Sequence, residues 1–187
     1  MRYVGLAGLC TLAFLCGSCG YRFGTAGDLP LSYHTISIPY VEGDLDGSLT
    51  AAIIRRIGTN GCMEYRHQGG ALLLQAKIIE ISDENIDFRY DRHKDGKIKR
   101  TIIPTETRLI QTVEVAVIDA GSGCVLRGPV RISGYVEFDH DFYKSRNGIN
   151  IFSLGQLTDY DAAEDAAHRP LNEVMAKKIA DFVCDSW

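Results

Sequence analysis

Cys19 carries the most definite chemistry in the chain. It follows two small residues, Gly17 and Ser18, and a charge-free apolar run from Tyr3 to Cys16. A small residue directly before a cysteine suits a thiol that is diacylated and then becomes the N-terminus when the preceding peptide is cut. The apolar run is too short to cross a hydrocarbon core of roughly 30 Å, which takes about 20 helical residues. It fits the h-region of a secretory signal, about 7–15 apolar residues ending in small ones. Residues 1–18 are therefore expected to be a signal peptide, with Cys19 bearing lipid. The lipobox is imperfect, since Cys16 stands where an aliphatic residue is usual. An ordinary secretory signal with an incidental cysteine is the competing reading.

A second group is electrostatic. Arg89, Arg92, Lys94, Lys97, Lys99 and Arg100 lie within twelve residues, in a chain with 20 Lys+Arg against 24 Asp+Glu. Such a concentration can hold the phosphate or carboxylate groups of an anionic lipid through charge-assisted hydrogen bonds. Asp91 and Asp95 interrupt it, so a solvated hairpin of alternating charge is the competing reading. Removing residues 1–18 leaves 187 − 18 = 169 residues and takes Lys+Arg from 20 to 19, for a net charge near −5. That balance does not fit a nucleic-acid binder, which usually shows a basic domain or stripe.

Catalytic constellations are missing from the pattern. No Gly-x-Ser-x-Gly, Walker or GxGxxG motif is present. Asp139-His140-Asp141 offers three metal-ligand types in a row. On a strand, however, His140 would turn away from both neighbours, and a strand-end loop beside solvent is the expected reading. Glu164 and His168 stand four apart on a helix with no third ligand in view, which reads as a surface pair. Cys62, Cys124 and Cys184 are expected mostly as small buried apolar residues. An oxidising compartment would permit at most one bridge among three. No catalytic residue, cofactor or metal is assigned.

The elements that would position these residues follow from periodicity. Cys19 to Ser32 is Gly-rich and reads as a tether; residues 33–187 read as one domain. His34 to Tyr40 is a short strand ended near Pro39. A helix capped by Asp46 or Ser48 runs to about Thr59 and stops at Asn60-Gly61, with Leu49, Ile53, Ile54 and Ile57 on one face. Leu72 to Ile81 is a strand whose alternation fails near Ile78, predicting two covered faces or a bulge. Asp95-Gly96 is a hairpin turn. Strands centred on Leu109 to Ile118 and Val125 to Phe138 follow, the second with Val130, Ile132, Val136 and Phe138 opposing Arg131, Ser133, Tyr135 and Glu137. Phe142 to Gln156 reads as a loop. Thr158 to Cys184 is helical, with an apolar stripe at Leu171, Val174, Met175, Ile179, Phe182 and Val183, and Pro170 should kink or divide it. The expected fold is α+β: a two-layer α/β sandwich with a mixed sheet of about four strands and both helices on one face.

Several short motifs follow one another in order: Cys19-Gly-Tyr-Arg-Phe23, Leu29-Pro30, Thr35-Ile-Ser-Ile-Pro39 and Gly47-Ser-Leu-Thr-Ala-Ala-Ile-Ile54. Further along come Gly70-Ala-Leu-Leu-Leu-Gln75, Tyr90 to Gly96 before a hairpin turn, Val117-Ile-Asp-Ala-Gly-Ser-Gly-Cys-Val-Leu126 and Ala176-Lys-Lys-Ile-Ala180. In these the chain resembles the LPS-assembly lipoproteins, the LptE (rare lipoprotein B) family. The resemblance implies an outer-membrane lipoprotein facing the periplasm, seated as a plug in a large LptD-type β-barrel that inserts lipopolysaccharide into the outer leaflet. It also implies glycolipid contact by basic loop residues, for which Arg89 to Arg100 is the nearest positional match, and a role without catalysis. A lipoprotein that regulates a cell-wall synthase or assists secretion-pore assembly would share the lipidated beginning and an α/β domain. A periplasmic hydrolase is the third reading.

Overall fold

The computed structural model describes residues 33–93, 95–140 and 160–184. The expected signal peptide (1–18), Cys19 and the expected tether, Lys94, and the expected loop Phe142 to Gln156 all lie outside the described residues, as do the side chains of Asp91, Lys99, Arg100 and Thr101. The elements are β1 (Thr35–Ser37), α1 (Ser48–Asn60), β2 (Glu64–Tyr65), β3 (Leu72–Arg92), β4 (Ile98–Asp119), β5 (Val125–Asp139) and α2 (Tyr160–Cys184). The five strands form one mixed sheet in the order β2-β1-β3-β4-β5, with β1 parallel to both neighbours and the later strands antiparallel. The expected α+β class is observed, with one strand more than expected. That strand, β2, is two residues long, too short to show any periodicity.

The helices cover one face. α1 buries Leu49, Ala52, Ile53 and Ile57; α2 buries Leu171, Met175, Ala176, Ile179 and Val183, at helical spacing. They close on Leu72 and Leu74 of β3 and on Leu109, Val113, Val115 and Val117 of β4, alternate residues that a strand places on one side. Gly134 of β5 lets α2 approach: a Cβ there would stand 2.6 Å from Met175 Sδ. Pro170 lies inside α2 without dividing it.

Local chemistry sets the helix ends. Gly47 occupies the cap position of α1 in a left-handed conformation. The side chains that receive the first N–H groups come from upstream: Ser48 N–H donates to Asp46 at 3.1 Å and Thr50 N–H to Asp44 at 2.8 Å. The Thr50 hydroxyl donates to the same buried Asp44 carboxylate at 2.6 Å. The Ser48 N–H holds the Asp46 carboxyl below its ordinary pKa. At the other end Gly61, φ 66°, makes the left-handed stop that Asn60-Gly61 predicts.

The cysteines correct one expectation. Cys62, just beyond α1, and Cys184, the last residue of α2, form a disulfide with Cα atoms 5.9 Å apart across a sequence separation of 122. Cys124 is an exposed thiol, not a buried apolar residue.

The largest departure is in strand length. β3 and β4 run 21 and 22 residues, about twice the expected spans. The failed alternation near Ile78 is a register shift between Ile78 and Glu80. There Ile78 N–H donates to Glu42 O, where the segment after β1 last touches β3. On the other side β5 ends opposite Glu106. Beyond Phe88 and Pro104, past the point where His140 N–H donates to Thr105 O at 3.1 Å, β3 and β4 pair only with each other among the described residues and form a two-stranded arm.

Candidate functional site

The arm carries the basic group. Its turn is closed by Gly96 N–H donating to His93 O at 2.9 Å and His93 N–H to Lys97 O at 2.8 Å, with Gly96 at φ 83° as Asp95-Gly96 predicts. Arg89 pairs in register with Ile103, and Arg92 with Ile98. Arg89, Arg92 and Lys97 are exposed. Arg92 donates to Gly96 O at 3.1 Å, and Lys97 stands 3.4 Å from the Asp95 carboxylate. The backbone of Lys99 and Arg100 lies on β4, which puts five of the six predicted basic positions on one arm.

By alternation, Phe88 and Tyr90 share a face with their register partners Pro104 and Ile102. This face continues the side of the sheet turned away from the helices, where Arg108, Ile110 and Thr112 also lie. Phe88, Tyr90, Ile98 and Ile102 are all more than half exposed. Nearer the body the same face bears paired charges: Arg108 donates to Glu137 at 2.6 Å and lies 4.6 Å from the Tyr135 ring centroid, and Arg131 faces Glu114. Lys77 of β3 pairs with Glu42 in the adjoining segment after β1.

A polar cluster joins arm to body, and the sequence did not reveal it. His140 is buried, not beside solvent, and its Nε2 stands 2.8 Å from the buried Thr107 hydroxyl. That hydroxyl donates to Asn85 Oδ1 at 2.9 Å, so His140 Nε2 is the donor toward Thr107. His140 Nδ1 is buried and has no hydrogen-bond partner among the described residues. Tyr160, the first residue of α2, donates to Asp83 at 3.2 Å and meets the His140 ring edge-on at 5.0 Å between centroids. Desolvation, with the charges of Glu164 and Asp83, pushes the Tyr160 phenol up to about 12. A hydroxyl beside an imidazole is the start of a nucleophile–base pair, but Thr107 has no exposed surface through which a substrate could reach it. The cluster is a clasp: it pins the start of α2 to β3 and β4 where the arm departs.

The remaining candidates separate. Asp139 is exposed where His140 is buried, and Asp141 lies outside the described residues. Glu164 and His168 are half-buried on α2. Among the described residues no three His, Cys, Asp or Glu side chains are grouped to hold a metal ion. No described helix is long and apolar enough to cross a membrane.

No family model matches the chain, and no curated protein matches it. Several solved structures are similar to it, lipoproteins among them. A minor lipoprotein from Acinetobacter baumannii is 16% identical, with 81% of this chain and 90% of that one covered and a TM-score of 0.49. Rare lipoprotein B from Shewanella oneidensis is 16% identical, with 80% and 89% covered and a TM-score of 0.43. Lipoprotein B from Nitrosomonas europaea is 14% identical, with 88% and 90% covered and a TM-score of 0.46. At such identities the residues of this chain itself must carry any reading of what it does.

Proposed function

We propose that this chain is an outer-membrane lipoprotein, anchored through Cys19, that acts as the plug and assembly subunit of an LptD-type β-barrel inserting lipopolysaccharide into the outer leaflet. The observation that carries this reading is the placement of the basic arm. Tyr33 donates a hydrogen bond to Asp119, at the end of β4 opposite the arm tip. The chain thus enters the domain at one end of the sheet and presents its basic residues at the other. Strands of 21 and 22 residues span roughly 70 Å at about 3.3 Å per residue. A whole bilayer with its headgroups is about 40–45 Å thick. A domain lipidated at its base can therefore offer its tip to the far leaflet, provided a polar passage surrounds it. The unpaired backbone edges of an arm cannot face hydrocarbon, but they can stand in the water-filled lumen of a closed barrel. The resemblance of Cys19 to Phe23 and of Thr35 to Pro39 to the LptE family supports the same reading.

The test is the partner. Detergent extraction of the lipidated chain should recover a large heat-modifiable β-barrel, and recovery of a cell-wall synthase or a secretion ring in its place would overturn the reading. For the arm, replacing Lys94, Lys97 and Lys99 by Glu should weaken binding of purified lipopolysaccharide at least about tenfold, the loss of roughly 1.4 kcal/mol. Unchanged affinity would return those residues to a solvated surface.

A further inference from the structure

The basic residues do not account for the apolar stripe between them. Phe88, Tyr90, Ile98 and Ile102 are 53%, 59%, 58% and 56% exposed and lie on one face of a ribbon two strands wide. Four large apolar side chains in an exposed row need a reason. Between Arg89 and Arg100, six basic residues stand against two acidic ones, in a chain whose formal charge is −4. We propose that this face of the arm rests on the anionic phospholipid interface of the membrane that holds the lipid anchor, Phe88, Tyr90, Ile98 and Ile102 reaching the headgroup–acyl boundary and the basic residues pairing with phosphates. This goes beyond the barrel-plug reading and needs neither barrel nor glycolipid: it describes the lipoprotein before a barrel takes it up.

Size and geometry favour a lipid surface over a protein. At half exposure the four side chains offer roughly 350 Å² together, below the roughly 450 Å² of apolar surface in the ~800 Å² that each partner of a stable protein interface buries. A lipid interface needs no complementary shape, and side chains on one face of a secondary element enter it by about 5–10 Å. The arm's backbone edges then stay among hydrated headgroups, where their N–H and C=O groups find partners. Tyr90 suits this depth, since its ring is apolar and its hydroxyl polar. Fourteen residues from Cys19 to Ser32 reach at most about 50 Å when extended, enough for the domain to lie along the membrane that anchors it.

Depth-resolved quenching tests this on the full lipidated chain in vesicles of phosphatidylethanolamine and phosphatidylglycerol. With the single native Trp187 replaced by Phe, Tyr90→Trp and, as control on the same sheet face nearer the body, Tyr135→Trp are compared using bromolipids. Quenching at position 90 should exceed that at 135 about threefold, and Ile98→Ser with Ile102→Ser should remove the excess. Equal quenching at the two positions would overturn the proposal. Shielding of the indole at position 90 from aqueous acrylamide without bromolipid quenching would overturn it in favour of a protein partner. Neither failure would touch the barrel reading, which is decided by co-purification.

Discussion

The same two strands, β3 and β4, pass through two different environments. From Leu72 to about Ile78, β3 has β1 and then Glu42 on one side, β4 on the other, and two helices over one face. From Asp87 to the turn its only ladder partner among the described residues is β4. In the body Leu74, Val113 and Val115 have almost no exposed surface, whereas in the arm Tyr90 and Ile102 are mostly exposed. Neighbours and residue type both differ: Leu72 to Ile78 is mostly apolar, whereas Asp83 to Arg92 sets Ile86, Phe88 and Tyr90 among charged residues. Stability resides in the body, and the arm is held in shape by its ladder and its turn. A two-stranded ribbon alone is marginal in water, so the arm depends on the body that seeds its register.

The predictions are chosen to break that contrast or to measure it. The largest effect belongs to Leu171→Ala, which truncates a fully buried side chain of α2 in the core and should cost about 2–5 kcal/mol in urea unfolding. Removing the disulfide by Cys62→Ser with Cys184→Ser should lower stability by about 2–4 kcal/mol, because the bond closes a very long loop. The arm's protease sensitivity should stay unchanged in that variant. Loss of arm structure on breaking a bond in the body would end the separation of the two regions. Asp44→Ala leaves the Thr50 N–H and hydroxyl of α1 without their acceptor and should cost about 1–2 kcal/mol.

At the junction the effect is pH-dependent. The Tyr160 phenol is held neutral by desolvation and by neighbouring acidic charge, at about 12 against an ordinary 10.0. A raised acid favours the fold while it is protonated. The clasp's contribution is therefore complete below pH 10 and is lost as pH rises through about 12. Ultraviolet titration of the tyrosines should show a late step that Tyr160→Phe removes. The smallest effect belongs to the arm: Ile102→Ala should change stability by no more than about 0.5 kcal/mol. A core-sized loss there would show that the arm is not a separate region.

Much of the body was legible because one covered face imposes a period. The spacing of Leu49, Ile53 and Ile57 read as a helix, Val130 to Phe138 read as a half-buried strand, and the failure near Ile78 read as two covered faces or a bulge, of which the bulge is observed. The arm was not legible as strand for the converse reason: Asp83 to Lys97, most of it exposed, shows charge where a buried strand shows alternation, although Ile103 on the partner strand is buried. Only the Asp95-Gly96 turn marked its tip. The disulfide was beyond reach, since three cysteines far apart in sequence do not say which two meet. His140 was read by its neighbours as loop, whereas Thr107, Asn85 and Tyr160 come from three other elements and meet it only in the fold.

The Cys62–Cys184 bond also turns everything from β2 to α2 into a single covalent ring, with the arm as its outermost loop. Trypsin cutting after Lys97 would open that ring without releasing either piece. The two fragments would migrate as one molecule until reductant was added, each still seated in the shared core. The clipped protein would thus keep its mass and its fold while losing its reach, so arm and body can be parted functionally without being parted chemically.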